Sequence, residues 1–339
     1  MRKLKRKCNK IVPLKINTMH YSYCGKSGLQ LPRISLGLWH NFGFTDAYET
    51  AREMITYAFD QGVTHFDLAN NYGPPPGSAE TNFGKILKEH LSSHRDEMII
   101  SSKAGHLMWD GPYGDGSSRK YLMASINQSL KRTGLDYFDI FYSHRYDSNT
   151  PVEETMQALV DIVRQGKALY VGLSKYPPVQ ARKALNYLQE RDVPCLIFQD
   201  KYSMFNRRPE KEILDITKEF GTGFIAFSPL AQGVLTDKYL NGIPDHSRAA
   251  DPTGFLRKEQ VTQMLVDKVK QLNEIAGQRG QTMAEMALAW ALRDERVTSL
   301  IVGARNTEQL KGNLNALRNL SFSQEELGRI DTILDGATL

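Results

Sequence analysis

One unit recurs along this chain with little interruption: a short apolar run of β type, a break, then an amphipathic helix. The runs are ISLGL (34–38), HFDLA (65–69), MIISSK (98–103), FDIFYSH (138–144), ALYVGLS (168–174), CLIFQ (195–199), GFIAFS (223–228) and TSLIVGA (298–304). Helical spacing of apolar residues follows each: from about Asp46, then 78–91, 119–133, 152–165, 178–190 and about 209–220. After 223–228 an irregular insert precedes helices near 260–280 and 282–293; a helix from Thr307 to Leu317 and another at 323–335 close the chain. Near-continuous apolar runs suit parallel strands buried on both faces. Eight strand–helix units predict an α/β fold, a (β/α)8 TIM barrel. A preceding segment, YSYCGKSGLQLPRI, reads as a hairpin that caps the base, with Lys26-Ser27-Gly28 as its turn. A doubly wound open sheet would call for a G-x-G-x-x-G turn after the first strand, and Gly37-Leu38-Trp39-His40 does not supply one.

The 339 residues carry a formal charge of +5, but seven basic groups and no acid fall in residues 1–18. Removing those seven charges takes the +5 to −2, so residues 1–18 are expected to be a disordered basic leader and 19–339 a single barrel domain. A nucleic-acid footprint would lie on a folded face, not in a terminal tail. No apolar run approaches the roughly 18 residues of a membrane helix. The expectation is a soluble cytoplasmic protein without nucleic-acid or membrane partners. Cys8, Cys24 and Cys195 share no metal or redox spacing and read as free thiols; no metal site follows.

The stretch HFDLANNYGPPPGSAE (65–80) carries an acid into an apolar strand and breaks into a proline-stiffened loop holding Tyr72. Ser78, followed by Glu80, reads as the next helix start. In a barrel, functional residues come from the C-terminal ends of the strands. Those ends carry Trp39, Asp67 and Tyr72, Lys103, His144 and Arg145, Ser174 and Lys175, Gln199, Phe227 and Ser228, and Gly303 and Arg305. Asp67, Tyr72, Lys103 and His144 form a coherent set. A lysine ammonium near a phenol stabilises the phenolate, lowering the tyrosine pKa and making it a better acid. Asp67 would hold that lysine charged, and His144 would orient a substrate oxygen. The set suits protonation of a carbonyl oxygen while a hydride attacks the carbon. Gln199, Ser174 and Phe227 could take a nicotinamide. Lys238, Arg248 and Arg305, with Gln309 and Asn313 in the last barrel helix, lie where the phosphates would bind, the cations favouring NADPH over NADH.

These residues resemble the aldo-keto reductase superfamily from Tyr21 to Leu334. The likeness rests on HFDLANNYGPPPGSAE, ISSKAG, DIFYSHR, TPVEET, GKALYVGLSKY, FSPLAQGVLTDKYLNGIP and IVGARNTEQLKGN. Within it the chain looks like the bacterial reductases of L-glyceraldehyde 3-phosphate and methylglyoxal, relatives of potassium-channel β subunits. The resemblance implies NADPH-dependent reduction of small aldehydes and ketones, methylglyoxal detoxification among its roles, by a catalytic tetrad of Asp67, Tyr72, Lys103 and His144, with Tyr72 the proton donor. It implies cofactor contacts at Trp39, Asp67, Tyr72, Ser174, Gln199, Phe227, Ser228, Leu230, Gln232, Lys238, Arg248, Gly303, Arg305, Gln309 and Asn313. Substrate contacts are expected from Trp39, His40, Trp109 and Arg145, and a homo-oligomer, tetramer or octamer, by likeness. Three departures stand out. Lys175 replaces the asparagine many family members carry after the serine, Arg305 stands where serine is usual in this branch, and Gly312 where glutamate is common. The alternative is an NADPH-holding regulatory subunit with little turnover; those relatives carry asparagine at the position of His144.

Overall fold

The computed structural model describes residues 19–245, 247–251 and 255–336. The basic leader and Cys8 lie outside them. Strands β1 (Tyr21–Tyr23) and β2 (Gln30–Pro32) form an antiparallel hairpin. Its turn begins one residue earlier than the sequence suggests, because Gly25, at φ +55, takes the left-handed position. A side chain there would collide with the backbone of Gly221.

The barrel strands are β3 (Ile34–Gly37), β4 (His65–Asp67), β5 (Ile99–Ala104), β6 (Phe138–Ser143), β7 (Ala168–Ser174), β8 (Cys195–Lys201), β9 (Gly223–Phe227) and β10 (Val297–Val302). They run parallel in chain order and close through β10, which pairs with both β9 and β3. Helices α1 (Tyr48–Asp60), α2 (Ser78–Ile86), α3 (Arg119–Thr133), α4 (Val152–Arg164), α5 (Pro178–Gln189), α6 (Ile213–Phe220), α7 (Gln263–Gln278), α8 (Met283–Ala291) and α9 (Thr307–Asn315) surround it, followed by α10 (Gln324–Leu334). The amphipathic pattern sets the contacts: α4 buries Val152, Thr155, Met156, Leu159 and Ile162 at helical spacing. Capping boxes at Thr282/Glu285 and Ser323/Glu326 start α8 and α10, satisfying first-turn amides.

Several boundaries shift for local reasons. Asp46 accepts from the amide of Gly43, and α1 begins only at Tyr48. Ser78 does not cap α2; it is the first helical residue, behind Gly77 at φ +88. The expected helix at 209–220 is a 3-10 turn (Arg208–Lys211) broken at Glu212 before α6. Likewise α7 starts at Gln263 after a separate 3-10 turn at Lys258–Gln260.

The hairpin seals one end of the barrel. Cys24 and Leu31 pack into an interior cluster with Ile140, Tyr142, Leu196, Ile197, Ile225 and Ile301. Burial pushes the Cys24 and Cys195 thiols up to about 12, so both stay protonated and unreactive. The other end, at the carboxyl ends of the strands, is open.

Candidate active site

Strand alternation sends His65 and Asp67 of β4 into the barrel, and β5 sends Ser101 and Lys103 to meet them. Lys103 Nζ donates to Asp67 Oδ2 at 2.5 Å and to the carbonyl of Leu68 at 2.6 Å. Asp67 Oδ1 accepts from Ser101 Oγ at 2.8 Å and from Gln199 Nε2 at 3.2 Å. Since Ser101 gives its proton to Asp67, His65 Nε2 must donate to Ser101 Oγ at 3.0 Å. The other His65 nitrogen lies 2.9 Å from Ser35 Oγ, and burial lowers its pKa to about 4, keeping it neutral. The aspartate is thus held at both oxygens.

The loop after β4 folds back on Tyr72. Its carbonyl accepts from the amides of Gly77 and Ala79, at 3.1 and 3.3 Å, as α2 begins. The Pro74–Pro75 bond is cis, and Pro74 accepts from Phe44. The Tyr72 ring lies 4.9 Å from Lys103 Nζ and 5.9 Å, edge-on, from the His144 ring. Trp39 closes one side, 6.2 Å from Tyr72.

Burial first, then the Asp67 carboxylate, raises the Tyr72 phenol well above its ordinary value. This reverses the lowering expected from the sequence: burial of the phenol, with the Asp67 carboxylate second, outweighs the Lys103 ammonium, whose charge Asp67 offsets. Tyr72 is therefore firmly protonated, the state a proton donor needs. His144 is pushed well below its ordinary value by burial, then by Lys175, Lys103, His106 and Arg145, so it is a neutral imidazole.

Asp67, Tyr72 and His144 open onto a cavity of about 670 Å³ that runs from the barrel mouth to β10 and α9. All the residues expected to contact a cofactor line it. At the inner end are Trp39, Ser174, Gln199 and Phe227; further out are Ser228, Leu230, Gln232, Gly303, Gln309 and Asn313. At the outer end Lys238, Arg248 and Arg305 lie close enough that Arg305 depresses the other two, after burial. Ser174 Oγ at one end and Asn313 Nδ2 at the other are buried without a hydrogen-bond partner. Buried polar groups left unpaired are costly, so these atoms fit a ligand polar at both ends. Four non-glycine residues on the wall, Asn41, Lys175, Ser228 and Gln232, have left-handed backbones, at φ +72, +57, +53 and +58. Such strain gathers at functional sites.

Two expected substrate contacts lie elsewhere. Arg145 donates from Nε to the Gly105 carbonyl at 2.6 Å and from Nη2 to both oxygens of Asp115 at 2.8 and 3.0 Å. Trp109 packs on Tyr121, with ring centroids 5.4 Å apart. Neither lines the cavity. His40 does, its ring tilted against Trp39 with centroids 4.1 Å apart and within the influence of Arg248. Conversely, His106 and Lys175 line the cavity beside His144. His106 falls just past the end of β5, which was signal enough to flag it. His65 shares the inward face of Asp67, a relation legible from strand alternation.

An eight-stranded parallel barrel with a protonated tyrosine, a neutral histidine and a lysine–aspartate pair at its mouth defines an oxidoreductase of carbonyl compounds. Residues 33–335 match the Aldo/keto reductase family, and the chain belongs to that family. It is similar to the L-glyceraldehyde 3-phosphate reductases of Escherichia coli O157:H7 and Escherichia coli strain K12. Each is 56% identical over 329 residues, covering 96% of this chain and 95% of the relative. Members of the family typically use NAD(P)H. Among the described residues, no helix is long and apolar enough to cross a membrane.

Proposed function

We propose that the protein reduces short aldehydes with NADPH, L-glyceraldehyde 3-phosphate and methylglyoxal among them. The observation that carries this is a single cavity in which a protonated phenol and a neutral imidazole stand at one end and three cations at the other. When bound, NADPH supplies a hydride to the carbonyl carbon. His144 would orient the carbonyl oxygen by donating a hydrogen bond, and Tyr72 would give that oxygen its proton, yielding the alcohol. Lys103, 4.9 Å from the ring, then stabilises the phenolate left behind, and Asp67 keeps the ammonium in place. Ser174, Gln199 and Phe227 would hold the nicotinamide. Lys238 and Arg248, with Arg305, would hold the phosphates, including a 2′-phosphate, while Gln309 and Asn313 meet the adenosine.

The test is NADPH consumption over a panel of short aldehydes, with Tyr72→Phe as the blank. Turnover that survives Tyr72→Phe would overturn the assignment of the proton donor. Stoichiometric NADPH binding with no aldehyde reduced would favour a regulatory subunit instead. Lys238→Met and Arg248→Met should weaken NADPH roughly 10- to 100-fold and weaken NADH less, since NADH lacks the 2′-phosphate among the phosphates they hold.

A further inference from the structure

Lys175 leaves β7 with a left-handed backbone and directs its ammonium into the cavity, 3.2 Å from His106 Nε2. The His106 ring stands edge-on to His144, centroids 4.5 Å apart, so the lysine sits one imidazole away from the carbonyl-orienting histidine. His106 is pushed down to about 4, first by burial and then by Lys175, so the ring is neutral and its Nε2 accepts the ammonium proton. Hydrogen bonding to a neutral ring does not neutralise the lysine. Among the described residues no carboxylate lies within ion-pair distance of Lys175. Asp200 faces it but is paired with Arg208 at 3.0 Å, and Asp115 is paired with Arg145. A half-buried cation without a counter-ion is unfavourable unless a ligand supplies one. Lys103, by contrast, has its carboxylate in Asp67.

We propose that Lys175, seated on His106, binds the anionic group of the carbonyl substrate, so that the site selects short aldehydes bearing a phosphate or carboxylate over their uncharged counterparts. The proposal rests on the reading of this cavity as an aldehyde-reducing site. His106 stands between the two, 4.5 Å from the His144 ring and 3.2 Å from Lys175 Nζ, so a short substrate lying along it would meet His144 at its carbonyl and Lys175 at its anion. Lys238, Arg248 and Arg305 serve a different group: they follow β9 and β10, and the cations that act on Lys175 are Lys103 and Arg145 instead.

A matched pair of substrates tests this: glyceraldehyde and glyceraldehyde 3-phosphate, assayed on the wild type, Lys175→Asn and Lys175→Arg. Asparagine tolerates the left-handed backbone, and arginine keeps the charge. In the wild type, kcat/KM should favour the phosphorylated aldehyde by roughly 10- to 100-fold, the usual worth of a charge-assisted contact. Lys175→Asn should collapse that ratio towards 1 through KM, and Lys175→Arg should restore most of it. Inorganic phosphate should compete with glyceraldehyde 3-phosphate in the wild type and lose that effect in Lys175→Asn. A Lys175→Asn enzyme that keeps the preference, or that instead weakens NADPH as read by fluorescence titration, overturns the proposal. Should the wild type reduce neither aldehyde, the reductase reading fails by itself. Calorimetry of inorganic phosphate on the NADPH-saturated protein then decides the subsite: binding to the wild type but not to Lys175→Asn supports it, and equal binding to both overturns it.

Discussion

Two lysines reach the same barrel mouth from β5 and from the end of β7, and their surroundings are opposite. Lys103 is fully buried, with Asp67 at 2.5 Å and the Leu68 carbonyl at 2.6 Å. Lys175 is half-buried and rests on a neutral ring at 3.2 Å. Burial lowers the pKa of both; Asp67 pulls Lys103 back up, whereas Lys103 and Arg145 push Lys175 further down, to about 8. The first site is electrically complete in the protein itself, and the second is complete only with a ligand. A charge satisfied internally serves the chemistry of its neighbour, here Tyr72. A charge left waiting serves recognition.

That contrast can be broken at several points. The largest effect should come from Tyr72→Phe, which leaves the lysine–aspartate pair intact but removes the proton. Single-turnover rates with NADPH should fall roughly 100- to 10,000-fold, with the denaturation midpoint little changed. Next, Lys103→Met leaves Asp67 a buried carboxylate without its counter-ion and should cost about 3–5 kcal/mol in guanidinium unfolding. Lys175→Asn, which strands no carboxylate, should shift stability by less than about 1 kcal/mol. Equal losses in the two variants would erase the distinction.

The pH dependence should differ as well. The groups facing Lys175 are Lys103, Arg145, His106 and Asp200, and the pKa of the lysine, near 8, lies below its ordinary value. Its charge is therefore present below about pH 8 and lost above it. A substrate phosphate, with its second pKa near 6, is fully charged through that range. The KM for glyceraldehyde 3-phosphate should climb by about tenfold per pH unit above 8, while Lys175→Arg stays flat. The smallest effect should come from Gly312→Glu on the cavity wall, where an added side chain meets open space. An acid there should tighten NADPH a few-fold, on the order of 0.5–1 kcal/mol, as read by fluorescence titration.

The barrel is legible in the sequence because strands buried on both faces read as short apolar runs, each followed by a helix of period 3.6. The cluster at the mouth is legible for a related reason: a strand end fixes both the position and the direction of Asp67 and Lys103. Loops carry no such guarantee. Arg145 directly follows His144, yet it turns away because the Gly105 carbonyl and Asp115 claim its guanidinium. Trp109 turns onto Tyr121. His106 and Lys175 are 69 residues apart, on loops after different strands, and no local pattern pairs them. The direction of the Tyr72 shift is hidden likewise, because it depends first on how deeply the phenol is buried and then on how close the Asp67 carboxylate comes.

The closing seam of the barrel bears on how the chain is made. Strand β3 hydrogen-bonds to β4 on one side and to Leu300–Val302 of β10 on the other. Arg33 reaches the carbonyls of Leu292 and Val297, and Ser35 lies 2.8 Å from Ser299. On the ribosome, residues 34–37 emerge more than 250 residues before the strand that covers their second edge. For that interval the nascent chain presents an unpaired strand edge, the surface on which aggregation begins. Translation speed over the last third of the message, and any chaperone that shields β3 meanwhile, would therefore govern the yield of folded protein.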